Sequence, residues 1–150
     1  MTSRRESRTD YSVRPADWER DGAALSGVRR RVFIEEQGVP ESLEWDGEDA
    51  RAFHIVAEGA DGSAIGTGRL LDSGHIGRMA VLPAWRGRGV GRAILTELLT
   101  TASRRRYPRC WLNAQASATG FYLPFGFVVD SDEFLDAGIP HYRMTHDPER

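Results

Sequence analysis

The chain has 150 residues, enough for one domain with one core, and a formal net charge of −2 at pH 7. That balance argues against a nucleic-acid partner, which requires a basic face, and no apolar run approaches the ~20 residues of a membrane span. All 20 basic residues are arginine, and the lone Cys110 excludes an internal disulfide and suits a reducing compartment, so a cytoplasmic protein is expected.

Met1 to Asp10 is charged throughout, with Arg4, Arg5 and Arg8 and no apolar core, and reads as a disordered tail rather than a secretory signal. The domain is expected over 11–150. Tyr11 to Arg14 reads as a short strand. A helix follows from about Pro15 or Ala23 to Glu36, with Leu25, Val28 and Val32 on one face, and Gly38 and Pro40 end it. The next stretch, Glu35 to Asp49, holds seven acidic residues (Glu35, Glu36, Glu41, Glu44, Asp46, Glu48, Asp49) and no basic one. It is either a solvated loop or a cleft wall that would attract a cationic amine.

Ala52 to Glu58 alternates as a strand, and Asp61-Gly62 turns it into Ala64 to Leu71. Ser73-Gly74 turns again into His75 to Leu82, which Pro83 stops because proline has no N–H for a ladder. After a glycine-rich run, Ala93 to Arg105 carries a helical stripe of Ile94, Leu98 and Ala102. Arg109 to Ala114 is a fifth strand, and Ser117 is placed to cap a short helix ending before Pro124. Phe127 to Val129 and Tyr142 to Thr145 supply late strands. The order predicts an α/β fold with a mixed sheet.

The run between the fourth strand and the long helix, Arg86-Gly87-Arg88-Gly89-Val90-Gly91, is the strongest functional signal. Its glycines let backbone N–H groups converge, and the helix start adds its positive dipole end, so the turn can hold a pyrophosphate. Arg86, Arg88 and Arg92 add positive charge. A plain strand-to-helix turn is the competing reading. A Walker-type loop is excluded because the chain has no lysine, and a dinucleotide fingerprint fails because its third glycine would fall on Arg92. The four histidines (54, 75, 141, 146) and one cysteine lack metal-site spacing, so no metal is expected.

Several motifs in one order resemble the GNAT superfamily of acyl-CoA-dependent N-acyltransferases. They are Arg78-Met79-Ala80-Val81, the R-x-x-G-x-G loop, Trp111-Leu112-Asn113-Ala114-Gln115 and Phe121-Tyr122-Leu123-Pro124-Phe125-Gly126-Phe127. Upstream, Arg31 to Gln37 and Asp46 to Asp49 are similar to a small bacterial YjcF-like branch. The match runs from about Tyr11 to Met144.

The resemblance implies a mostly antiparallel sheet flanked by helices and splayed between its fourth and fifth strands. It further implies an N-acetyltransferase acting on a primary amine by direct attack in a ternary complex with acetyl-CoA. Met79, Ala80 and Val81 would pair with pantetheine along a bulged strand, and the 86–92 run would hold the pyrophosphate. Asn113 would bond the cofactor or simply a loop carbonyl. Tyr122 would protonate the departing thiolate, its unperturbed pKa of ~10 lying near that of an alkyl thiol; a core tyrosine among Phe121, Phe125 and Phe127 is the alternative. Glu36 and His141 are the candidate bases, with His141 presented by a Gly138-Ile139-Pro140 turn. His54 reads as structural, Cys110 as inert, and a water relay would need no base. A small cationic acceptor and a homodimer pairing through the strand at Tyr142 are expected. An acyl-CoA-binding sensor without turnover is the competing class.

Overall fold

Antiparallel strand pairing builds this molecule in two halves. The computed structural model describes residues 10–147. Apart from Asp10, the N-terminal tail predicted over residues 1–10 lies outside the described residues.

The first half is β1 (Tyr11–Ala16), β2 (Phe53–Gly59), β3 (Ala64–Leu70) and β4 (Ile76–Val81), paired antiparallel in that order. The second is β5 (Cys110–Gln115), β6 (Val128–Val129), β7 (Phe134–Asp136) and β8 (Ile139–His146), with β8 between β5 on one side and β6 and β7 on the other. Helix α1 (Trp18–Arg29) continues as a wider π-type coil over Arg30–Glu36, and α2 (Glu41–Glu44) is one turn long. The long helix α3 (Val90–Arg104) follows β4, and α4 (Thr119–Tyr122) follows β5. No helix among the described residues is long and apolar enough to cross a membrane.

Both halves share one core. Ile94, Leu95, Leu98 and Ala102 of α3 are buried against Ile55, Leu70 and Ile76 of the first sheet and Leu112 and Met144 of the second. The predicted stripes on α1 with its π-type continuation and on α3 are the buried faces: Leu25, Val28 and Val32, then Ile94, Leu98 and Ala102. The two sheets are bridged where His75 pairs with Trp111 in parallel and the Trp111 N–H donates to the Gly74 carbonyl at 3.0 Å. Gly74 sits at φ +87°, and a Cβ there would collide with the Arg109 carbonyl, so only glycine closes this joint. Past it β4 and β5 diverge. The predicted splay between the fourth and fifth strands is therefore present.

Five local predictions are corrected. Pro15 is not the helix start: it pairs with Ile55 on the edge strand β1, where a missing N–H costs nothing, and Asp17 caps α1 by accepting from the Glu19 N–H. Helix α3 starts at Val90, not Ala93, because left-handed Gly89 (φ +85°) is its cap. Ser117 does not cap α4; Ala118 occupies that position, without a side-chain bond. Last, β8 is not a free edge, so pairing through Tyr142 loses its basis. The turn before it is Ala137-Gly138, both at positive φ (+53° and +78°), and Ile139-Pro140 already lie in the strand.

Candidate active site

The divergence of β4 from β5 opens a cavity of about 330 Å³. Register explains the β4 side. Thr67 faces Ala80 while Arg69 faces Gly77, so two residues of β4, Arg78 and Met79, oppose the single Gly68. This is a bulge, with Arg78 held at φ +51° and its carbonyl accepting from the Thr67 hydroxyl at 2.8 Å. The bulge predicted for this strand is thus observed. Met79 lines the cavity beside Asn113 of β5, Tyr122 of α4 and His141 of β8. Ala80 and Val81 continue β4 in pairing with β3 and do not line it.

The glycine loop lies at the end of β4. Gly87 and Gly89 take φ of +79° and +85°, the left-handed region open to glycine. The first bond of α3 runs from the Ala93 N–H to the Gly89 carbonyl, and Gly89 has no side-chain cap. The N–H groups of Val90, Gly91 and Arg92 therefore lack helical partners, the donor set an anion needs. Gly91 belongs to the helix, where a Cβ would lie 3.4 Å from Phe121. Arg86 is anchored rather than loose: Nε donates to the Val81 carbonyl at 2.9 Å, and its two Nη atoms reach Glu36 at 2.8 and 2.7 Å. Arg88 pairs with Asp10 at 3.2 Å and lies over Trp85, and Arg92 lies over Phe125.

Tyr122 is half-buried, with its ring against Phe121 and Phe127 (centroids 5.0 and 5.8 Å apart), and it also lines the cavity. Core packing and a cavity role are compatible. Burial pushes its hydroxyl up to about 12, so it stays protonated across neutral pH. His141 is buried, and its Nδ1 lies 2.6 Å from the Ile139 carbonyl. A carbonyl only accepts, so Nδ1 carries a hydrogen, and in the neutral ring Nε2 is then the acceptor.

Glu36 is drawn away from base duty. It is outside the cavity wall, and the Arg86 guanidinium holds its carboxyl below the usual range. Its observed partner makes it a brace for the glycine loop. His54 is buried, stacked on Trp18 and donates from Nε2 to the Asp49 carbonyl at 2.8 Å, a structural histidine as expected. Cys110 is buried and its thiol is pushed up to about 11, which leaves it unreactive. Sequence reasoning passed over His75. Its ring stacks on Trp111 at 3.9 Å, it lines the cavity, and burial followed by Arg69 and Arg78 lowers it to about 4. Only the joint between the sheets reveals that position.

The acidic run does not form an open acidic wall. Glu44 accepts from Arg29 Nε at 2.7 Å, and Asp49 from Arg29 Nη1 at 2.8 Å and Arg69 Nη1 at 3.1 Å. Asp46 bonds Arg69 at 2.8 Å and Arg78 at 3.2 Å, while Glu41 bonds Arg30 at 2.6 Å. Arg29, Arg69, Glu44 and Asp49 are buried. Three guanidinium groups and three carboxylates (Glu44, Asp46, Asp49) thus neutralise one another behind the cavity. The electrostatic basis for favouring a cationic acceptor is removed.

Comparison with known proteins agrees with this geometry. The family model described as an acetyltransferase (GNAT) domain matches residues 16–147. The uncharacterized N-acetyltransferase YjcF of Bacillus subtilis (strain 168) is 39% identical over 123 residues, covering 80% of this chain and 88% of YjcF. Among solved structures, Escherichia coli ElaA superposes with a TM-score of 0.82 at 28% identity, covering 91% of this chain and 99% of ElaA. An acyl-CoA N-acyltransferase from Pseudomonas aeruginosa gives 0.80 at 29%, with 91% and 99% covered. With the family model spanning the splayed sheet, the glycine loop and every strand from β2 to β8, this chain belongs to the GNAT acetyltransferase family.

Proposed function

We propose that this protein transfers an acetyl group from acetyl-CoA to the primary amine of a small molecule. The observation that carries the reading is the cavity where β4 and β5 part, whose wall brings together Met79, Asn113, Tyr122 and His141. The residues suit the co-substrate: partnerless N–H groups at the start of α3 match a pyrophosphate, and the gap between the strands matches an extended pantetheine arm.

When bound, acetyl-CoA supplies an activated acyl group; the chain supplies orientation and two proton positions. Backbone N–H groups around the β4 bulge polarise the thioester carbonyl. His141 Nε2 takes a proton from the acceptor nitrogen as that nitrogen bonds the carbonyl carbon. The C–S bond breaks with its electron pair going to sulfur, and the Tyr122 hydroxyl donates a proton there. Solvent returns a proton to Tyr122 and removes one from His141, so the products are an amide and a free thiol. Direct attack of this kind requires both substrates in the cavity together.

The binding half is tested by calorimetry with acetyl-CoA. Wild-type protein is expected to bind in the micromolar range. Gly89→Val is expected to weaken binding by ~10²-fold or more, because a β-branched residue at positive φ must leave that conformation and turn the N–H groups aside. Equal affinity in both proteins would make the loop a plain turn. Binding without transfer to any amine would favour the sensor.

A further inference from the structure

Resting on that reading, we propose that the acceptor amine carries a carboxylate and that Arg78 seats it. Arg78 occupies the bulge of β4 and lines the cavity beside Met79. Its guanidinium is only partly used. Nη2 donates to the Glu44 carbonyl at 3.0 Å, the Leu43 carbonyl at 3.4 Å and Asp46 Oδ2 at 3.2 Å. Nε lies 3.2 Å from Glu44 Oε2 but is misaligned, and it is buried without a hydrogen bond. Nη1 has no partner among the described residues. With 21% of the side chain accessible, an oriented cation with spare donors stands in the cavity wall.

The network as a whole is neutral, but it leaves one face of the Arg78 guanidinium without a partner. Glu44 and Asp46 are each shared with a second arginine, at 2.7 Å from Arg29 and 2.8 Å from Arg69. Burial weighs on two groups in this wall. The charged form of Arg78 is disfavoured, first by burial and then by Arg69. His75, in the same wall, is pushed down to about 4 by burial and by Arg69 and Arg78. Asp136 also lines the cavity, from the hairpin of the second sheet. Glu44 lines the cavity too, but its side chain is 3% accessible, so Arg78 is the charged group of the β4 side with a donor open to the cavity. A carboxylate meeting Nη1 there would gain a charge-assisted bond in a half-buried setting, whereas a second ammonium on the acceptor would be repelled.

The experiment is a thiol-release assay with acetyl-CoA and a panel of α- and ω-amino acids, each beside its carboxamide and its decarboxylated amine. For the best member, kcat/KM of the acid is expected to exceed that of the amide by ~10-fold or more. In Arg78→Gln this ratio should fall to about 1, and Arg78→Lys, which keeps the charge, should restore part of it. Because the readout is a ratio within one protein, a general loosening of the 43–46 segment does not imitate the effect. Equal rates for acid and amide in the wild type, or a preference for the decarboxylated amine, overturn the proposal. So does a ratio unchanged in Arg78→Gln; if that variant does not fold, the wild-type ratio alone decides. Transfer to no amine at all also overturns it. An acetyl-CoA titration of the same sample then shows whether the acetyltransferase reading falls too.

Discussion

Tyr122→Phe is expected to lower kcat ~10²-fold while leaving acetyl-CoA affinity within about 2-fold of wild type. The substitution keeps the ring and therefore its contacts with Phe121 and Phe127. It removes only the hydroxyl. That hydroxyl, pushed up to about 12 by burial, is protonated at neutral pH and so has a proton to give in the proposed step. The sequence alone suggested a near match to an alkyl thiol; the fold moves the tyrosine upward. The same exclusion of water makes a departing thiolate more basic, which preserves the driving force for transfer. Steady-state rates beside a calorimetric Kd separate the outcomes. Wild-type turnover in the variant would reduce Tyr122 to a packing residue, and a parallel loss of binding would assign it to cofactor positioning.

Arg29→Met is expected to destabilise the fold by about 3 kcal/mol or more, the cost of leaving buried carboxylates without their cation. For a chain of this size that is a fall in Tm of ~6–12 °C. Arg29 is 1% exposed, bonds both Glu44 and Asp49, and lies between Trp18 and Trp45 at 5.7 and 5.1 Å. Methionine roughly keeps the volume and removes the charge. The pH dependence distinguishes lost charge from lost packing. Burial alone would raise the Asp49 carboxyl, but Arg29 and then Arg69 outweigh it and hold it below its ordinary value. A depressed carboxyl stabilises the fold above its unfolded pKa of ~3.9 and loses that contribution as pH falls through the folded value. In the variant the orphaned carboxylates favour their protonated form. The gap in Tm between wild type and Arg29→Met should therefore be widest near neutrality and narrow toward ~pH 4. A gap independent of pH would mean that the network contributes through shape alone.

Much of the site was legible because its signals are local. Gly87 and Gly89 announce positive φ by being glycine, and Pro83 announces the end of β4. The F-Y-x-x-x-G-F run carries Tyr122 into α4, at the cavity wall. The Glu36 and Arg86 pairing was not legible, because the two residues lie 50 positions apart and meet only when the end of the π-type coil after α1 docks beside the loop. His75 read as the first residue of a strand, since nothing local shows that Trp111 will stack on it. The acidic run misled for the same reason. Its charge could be counted, but its partners Arg29, Arg69 and Arg78 come from three different elements.

By itself the sequence determined the order of elements, the two buried helical stripes, the phosphate-shaped loop and the family resemblance. Each rests on periodicity, backbone preference or motif spacing, which act over a few residues. Only the tertiary structure decided which charges are neutralised, which edge is free and which candidates share a cavity. Burial and ion pairing depend on distance in space, and here the partners are joined by docking two sheets at Gly74 and letting them part beyond it.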